Sequence, residues 1–263
     1  MKGSFGHFSA PRFTQPVKPL AFLALLLACL PSATIASHAA MVGINFASGH
    51  TGQTESLSVS AIVGVVPQGN WNNVTGNVGT QANVAGPMAG SLVDDSGIAT
   101  SMSLSFSSTN SWATSTGALT GNAELLNGYL DNTNTATPTT ITLAGIPFAA
   151  YDLYVYVGSD TNNRTGHVTL TGNSTVYFKT TAAPFDGAFT QATGTSTVDA
   201  NAAEYVKFSG LSGAGQSLAV GRDGGNVGVY AVQVVEVPEP SSVILTFFYG
   251  AAGLLVWQRR RRW

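Results

Sequence analysis

The stretch Gly69-Asn70-Trp71-Asn72-Asn73 gathers one aromatic ring and three side-chain amides within five residues. That mixture suits sugar binding, because a ring packs on the apolar face of a pyranose while planar amides read its hydroxyls. Trp112, beside Asn110 and Ser111, offers a thinner version of the same combination. Trp71, Asn70, Asn72 and Trp112 are therefore the candidate carbohydrate contacts, set against the plainer alternative that each tryptophan plugs one end of a β-sandwich. Tyr154 and Tyr156 share one face of an apolar run and read equally as an exposed platform or as sheet packing.

Metal chemistry has one modest candidate. Asp160, Asn162 and Asn163 lie in the turn Gly158–Gly166 and offer the oxygen ligands calcium prefers. No acidic ligand follows at the twelfth position, and Asp, Asn and Gly are also ordinary turn residues. Asp94-Asp95-Ser96-Gly97 has the same ambiguity. A structural calcium ion is the only cofactor the sequence suggests. His50 and His167 stand far apart with no HExxH spacing, which leaves no zinc motif.

Signs of catalysis are thin. No GxSxG sits in a strand–turn–helix context, and two histidines leave little from which to build a triad. Glycoside hydrolysis needs two carboxylates facing one cleft. Glu55, Asp94, Asp95, Glu124, Asp131, Asp152 and Glu204 could supply them, but no local motif pairs any two. The expected function is non-catalytic, with a secreted carbohydrate-active enzyme as the alternative. Gly221-Arg222-Asp223-Gly224-Gly225 precedes no helix and reads as a turn rather than a phosphate loop. Threonines recur from Thr133 to Thr140 in a pattern near that of an ice-binding array, but Pro138 interrupts it.

The elements that must position these residues are strands. Of 263 residues, 44% are hydrophobic and 9% charged, against about a quarter charged in ordinary domains. β-Branched and aromatic residues are too plentiful for a disordered polar tract. Between residues 41 and 236 four basic side chains face twelve acids, a net of −8, which argues against nucleic acid as a partner. Period-two alternation predicts strands at 41–46, 56–66, 100–108, 139–146, 151–158, 167–172, 174–180, 204–210, 216–221 and 229–237. Gly- and Asn-rich turns separate them. Residues 123–132 read as one short helical turn ended by Gly128. The pattern predicts an all-β fold, a two-sheet antiparallel sandwich of jelly-roll type, over residues 40–236.

Both ends of the chain look like addresses. A basic segment, Met1 to Pro19, precedes the 11-residue apolar run Leu20–Leu30, too short to span a bilayer but suited to a signal-peptide core. Ser37-His38-Ala39 places small residues for cleavage after Ala39, so residues 1–39 are assigned to a signal peptide. The Sec translocon and signal peptidase are its expected partners. Alternatives are an uncleaved anchor, or a lipoprotein acylated at Cys29, the only cysteine. At the far end, Val243–Trp257 is apolar and reaches about 22 Å as a helix. Arg259, Arg260, Arg261 and Arg262 would hold its end on the cytoplasmic side, leaving the body outside.

Val237-Pro238-Glu239-Pro240-Ser241, the apolar run and the arginine cluster together resemble the PEP-CTERM sorting signal, a segment also called the ice-binding protein C-terminal domain. The resemblance covers about 26 residues, Pro238 to Trp263. It implies that an exosortase, a membrane-embedded cysteine transpeptidase, recognises the triplet and processes the chain near it. Such proteins belong to Gram-negative bacteria that make extracellular polysaccharide. The second name implies nothing about ice. The resemblance makes residues 237–263 a sorting segment, the inner membrane a transient anchor, and the cell surface or matrix the destination. Within the body, Gly43-Ile44-Asn45-Phe46, Gly69-Asn70-Trp71-Asn72-Asn73 and Tyr230-Ala231-Val232-Gln233-Val234-Val235 resemble phrases of galactose-binding-like sandwich modules.

Overall fold

The computed structural model describes residues 39–48, 56–75, 84–88, 92–115, 119–181, 185 and 187–238. Residues 1–38 of the expected signal peptide, with Cys29, together with His50, Glu55, Glu239, Pro240, Ser241, the apolar run from Val243 and Arg259 to Arg262, lie outside the described residues.

The body is the all-β, two-sheet sandwich that alternation predicts. One seven-stranded sheet is built around β14 (Val227–Glu236). On one side of it lie β8 (Tyr151–Gly158) and then β12 (Tyr205–Leu211). On the other side β1 (Met41–Ala47) and β6 (Gly128–Asn132) run end to end, β1 against residues 231–235 and β6 against 227–229. Outside these, β2 (Asn72–Thr75) pairs with β1 and β5 (Asn110–Ala113) with β6. The second seven-stranded sheet runs β11 (Asn201–Ala202), β10 (Thr175–Lys179), β9 (Thr165–Leu170), β13 (Gly215–Gly224), β7 (Thr139–Ala144), β4 (Ser103–Ser108) and β3 (Val84–Met88). Pairing is antiparallel except for β1 with β2 and β10 with β11.

Side-chain alternation builds the core. Phe46, Leu153, Val155 and Val232 from the first sheet meet Phe106, Ile141, Leu218 and Val168 from the second. The second sheet is buried on one face only. Ser105, Ser107, Thr140 and Thr142 point outward, and hydroxyls pair across strands, Thr142 to Ser217 at 3.1 Å and Thr169 to Thr175 at 2.8 Å. The threonine run does not form one row: Thr139 is buried against Ser108 while Thr140 faces out, and Thr133, Thr135 and Thr137 precede the strand.

The first sheet is buried on both faces, which the sequence reading did not anticipate. Every residue of β14 except Glu236 is buried. The second face carries its own cluster, including Trp71, Tyr129, Tyr154, Tyr156 and Tyr230. Residues 56–66, expected as a strand, cover part of that face as a chain of turns with a single bridge, Val63 to Gln68. Their backbone groups find side-chain partners in place of a ladder, as buried polar groups must. Val65 N–H donates to Tyr156 Oη at 2.7 Å, Gly64 N–H to Asn122 Oδ1 at 2.9 Å, and Gln233 Nε2 to Val66 O at 2.6 Å. Asn122 lies in α1 (Asn122–Leu125), the expected helical turn, and after a two-residue turn β6 begins at Gly128 itself.

Several large rings pass over sheet positions that lack side chains. A Cβ on Gly43 would lie 2.5 Å from Trp71 Cε3 and 2.7 Å from Gln68 Nε2. Gly158 stands in the same relation to the Tyr230 ring, at 2.5 Å from Cε2. Gly43→Ala should therefore cost about 2 kcal/mol of unfolding free energy in denaturant melts, because a packed interior cannot take an added methyl without shifting. Gly215→Ala, on an exposed residue, should change it by less than about 0.5 kcal/mol.

Candidate functional site

The Gly-Asn-Trp-Asn-Asn loop is a structural clamp, and this corrects the carbohydrate assignment of Trp71, Asn70 and Asn72. Trp71 is 4% exposed, its ring edge-on to Tyr156 at 6.1 Å, and its Nε1 donates to Gln68 O at 3.1 Å. No face of the indole is open to a sugar. The amides are bound to backbone. Asn72 Nδ2 donates to Gly43 O and Val93 O, and its Oδ1 accepts from Val93 N–H. Asn73 holds Leu57 through both its oxygen and its nitrogen. Asn70, at φ +51°, donates to Asp95 O at 2.8 Å. Trp112 is half-buried on β5, packed against the same aromatic cluster. Tyr154 and Tyr156 are 7% and 0% exposed, which settles their pair as packing rather than an open platform.

The calcium candidate is a turn closed by charge. Asp160 Oδ1 takes a hydrogen bond from Arg164 Nη1 at 2.9 Å, and Arg164 also reaches Asn226 O. Asn163 adopts φ +60° and its N–H donates to Thr180 O, so it serves backbone geometry. Asn162 is exposed beside it. A cation here would compete with a guanidinium already in place, and no group of three or more His, Cys, Asp or Glu converges among the described residues. In the second turn, Asp94 Oδ1 accepts from Ser96 and Ile98 N–H, and Asp95 Oδ1 from Met41 N–H. His167 lies on the open face of the second sheet, 2.8 Å from Asp223 and against the Tyr177 ring.

The remaining carboxylates separate. Glu204 Oε2 accepts from Thr190 N–H, and Asp152 pairs with Lys207 at 2.8 Å. Glu124 sits in α1, its carboxyl raised by burial. Asp131 is the most perturbed of them. It is 4% exposed on β6, opposite Asn110 on β5, which donates Nδ2 to its Oδ2 at 3.1 Å. Asp131 Oδ1 and Asn110 Oδ1 have no partner among the described residues, so two buried acceptors lack a donor. Burial pushes the carboxyl up to about 6, opposed by the Asn110 bond; Asp160 adds to the rise, and Arg164 and Arg222 counter it. Both orphan oxygens are closed to solvent, so this shift bears on stability rather than on substrate chemistry.

A partly open aromatic strip includes none of the carbohydrate candidates. On the covered face of the first sheet, Tyr205 of β12 and the loop residues Phe185 and Phe189 remain half-buried. Phe185 stacks on Phe189 at 4.8 Å, Phe189 meets Tyr205 edge-on at 6.5 Å, and Tyr205 lies 6.0 Å from Tyr154. Polar groups flank this strip. Lys207 Nζ sits 5.1 Å over the Tyr154 ring, held by Asp152, and Gln191 lies 3.4 Å from Tyr205 Oη. Rings with planar and charged hydrogen-bonders alongside are the chemistry the tryptophan loop suggested, located elsewhere. Tyr205 and Lys207 alternate on a predicted strand, which was the legible half of the signal. Phe185 and Phe189 lie in a loop whose return to β12 depends on Ala192 N–H donating to Tyr205 O.

No family model matches the chain, and no curated protein matches it. Among solved structures, a GH26-CBM35 β-(1,4)-mannanase of Podospora anserina is similar at 13% identity and a TM-score of 0.29. The match takes in 62% of this chain and 29% of that one. A likeness of this size carries no argument about function.

The raised Asp131 carboxyl sets a pH dependence. Its folded value, about 6, exceeds the ordinary carboxylate value of 3.8, so the protonated form stabilises the fold. That stabilisation, about 3 kcal/mol at full extent, is present below pH 4 and lost as pH rises through 6. Denaturant midpoints taken from pH 4 to 7 should fall more steeply for the natural protein than for Asp131→Asn; parallel curves would remove Asp131 as the cause.

Proposed function

We propose that the chain is an exported precursor, held briefly at the inner membrane by its C-terminal segment and sorted at Pro238-Glu239-Pro240 by an exosortase-type transpeptidase. Its β-sandwich then serves as a non-catalytic, glycan-associated element of the cell surface or matrix. The observation that carries this reading is where the fold closes. β1 begins at Met41, two residues after the expected cleavage point, and β14 ends at Glu236, immediately before Val-Pro-Glu-Pro. The two limits meet: Glu236 N–H donates to Ala40 O at 2.9 Å, and Ala40 N–H to Glu236 Oε2 at 3.2 Å. A domain whose ends emerge side by side suits removal of one end and tethering by the other.

The glycan part rests on the strip of Phe185, Phe189 and Tyr205 with Gln191, Lys207 and Asp152. The hydroxyl-rich, sparsely charged face of the second sheet fits a hydrated polysaccharide environment. Native protein should be retarded in gels containing the host's exopolysaccharide. Tyr205→Leu, which keeps apolar bulk but removes the ring, should weaken that retardation about fivefold to tenfold. Equal migration with and without polysaccharide would remove the glycan assignment.

Export makes a separate prediction. Cleavage after Ala39 converts the Ala40 amide into an α-ammonium 3.2 Å from Glu236 Oε2, an ion pair created by processing. The ammonium should titrate above its ordinary value of about 8, and the associated stability should be present below that pH and lost as pH rises through the folded value. The processed body retains two lysines, Lys179 and Lys207, so reductive methylation with isotope-labelled methyl groups gives three resolvable amine signals. Glu236→Gln should return the α-amine to its ordinary titration. An N-terminus other than Ala40 would refute the cleavage site, and an α-amine indifferent to Glu236→Gln would refute the pair.

A further inference from the structure

Large aliphatic side chains are rarely left well exposed in clusters on a soluble domain without a partner. Val59, Ile62 and Ile98 are 74%, 65% and 64% exposed. They come from two separate loops, yet contacts bring the loops together around Gly69 and Asn70. Asn70 N–H donates to Val59 O at 3.0 Å, and a Cβ on Gly69 would lie 3.2 Å from Ile62 Cδ1. Gly97, the neighbour of Ile98, would place a Cβ 3.6 Å from Asn70 Oδ1, and Asn70 Nδ2 reaches across to Asp95 O.

The same hydrogen bonds fix where this patch sits. Asp95 N–H donates to Met41 O and Asp95 Oδ1 accepts from Met41 N–H, which anchors the Ile98 loop on the first residue of β1. Ala40, next in line, is doubly bonded to Glu236, and Val237 beyond it is 40% exposed. The patch therefore occupies the end of the sandwich from which the C-terminal segment leaves. Six residues, Val237 to Ser242, separate β14 from the apolar run at Val243. Even fully extended they span about 20 Å.

We propose that Val59, Ile62 and Ile98 form a lipid-contacting rim, which rests on the bilayer while the C-terminal segment holds the precursor there. The inference rests on the membrane-anchored reading of that segment. The tether makes so small a patch effective, since a short linker raises the local concentration of surface around it to the millimolar range. The patch's charge selects the surface. Asp94, Asp95 and Glu236 border it, each engaged with backbone N–H groups, and none of the four basic residues of the body, Arg164, Lys179, Lys207 and Arg222, takes part in these loop contacts. The fitting partner is a zwitterionic lipid surface rather than an anionic one, where those carboxylates would be repelled.

The chain from Ala40 onward has no cysteine, so Ile98→Cys and Ile62→Cys can each be labelled with an environment-sensitive fluorophore. Val198→Cys, at a 90% exposed position in the turn before β11, serves as the control. The processed chain, Ala40 to Trp263, would be reconstituted into phosphatidylcholine–phosphatidylethanolamine vesicles and recovered by flotation, with circular dichroism confirming the fold. Emission at 98 and 62 should shift to the blue on reconstitution while emission at 198 stays unchanged. Protein that floats with no shift at 98 and 62 overturns the rim and leaves the anchor standing. Protein that fails to float overturns the anchor, and the rim with it.

Discussion

The first sheet must be buried on both faces, and among the described residues one face is covered mainly by irregular chain, with the single turn of α1 beside it. Most sandwiches leave their outer faces to solvent, which is why one-sided alternation usually marks them. Here a run of turns between Leu57 and Trp71 closes over part of the aromatic face, around Tyr156. Irregular backbone cannot satisfy its own polar groups, so side chains from beneath must do so. Tyr156 and Gln233 rise from adjacent strands, Tyr156 Oη donating to Gln233 Oε1 at 2.8 Å, and together they hold Val65, Val66 and Gln68. Asn72 and Asn73 do the same from β2. The network is bonded throughout, as a buried polar network has to be if it is to specify one arrangement.

This constraint explains where the aromatic residues lie. Trp71, Tyr129, Tyr156 and Tyr230 form the cover of the first sheet, and their rings pass over glycines because any Cβ would meet them. The cover thins only toward β12, the edge strand, where Tyr205 and Phe189 remain partly visible. The second sheet needs no cover, since its outer face carries mainly hydroxyls, with the His167–Asp223 pair and the Tyr177 ring among them. The sandwich is thus two-sided in chemistry: one face hydrated and nearly free of charge, the other apolar and roofed.

Charge is sparse and placed for structure. Asp94, Asp95, Asp160 and Glu204 each receive backbone or guanidinium donors that close turns. Asp199, fully exposed, accepts from Thr195 and Ser196, and these hydrogen bonds hold its carboxyl well below the usual range. Asp131 is the exception. Its carboxyl and the Asn110 amide face each other with an acceptor left over on each side, so the fold is more comfortable with a proton there than without one.

The sequence alone was enough to establish the strands that pack on one side. In β4, β7 and β9 alternation is strict because the periodicity of a strand matches a single buried face. In β8 the alternation of Leu153 and Val155 with Tyr154 and Tyr156 marks two faces that are both buried. β2, β5 and β6 escaped notice, since Asn72–Thr75 and Asn110–Ala113 are short and polar, and Gly128–Asn132 follows a helical turn. Residues 56–66 alternate like a strand and are not one: Leu57 and Val63 bury against a sheet face that local pattern cannot reveal, while Val59 and Ile62 point to solvent. The clustering of Trp71 with asparagines was legible as a special feature but not as a clamp: an amide offers the same donor and acceptor to a sugar hydroxyl and to a carbonyl, and only the position of Gly43, Leu57 and Val93 decides which it meets. The meeting of Ala40 with Glu236 and of Phe189 with Tyr205 likewise depends on which strands become neighbours, and that is settled by long-range pairing rather than by any local preference.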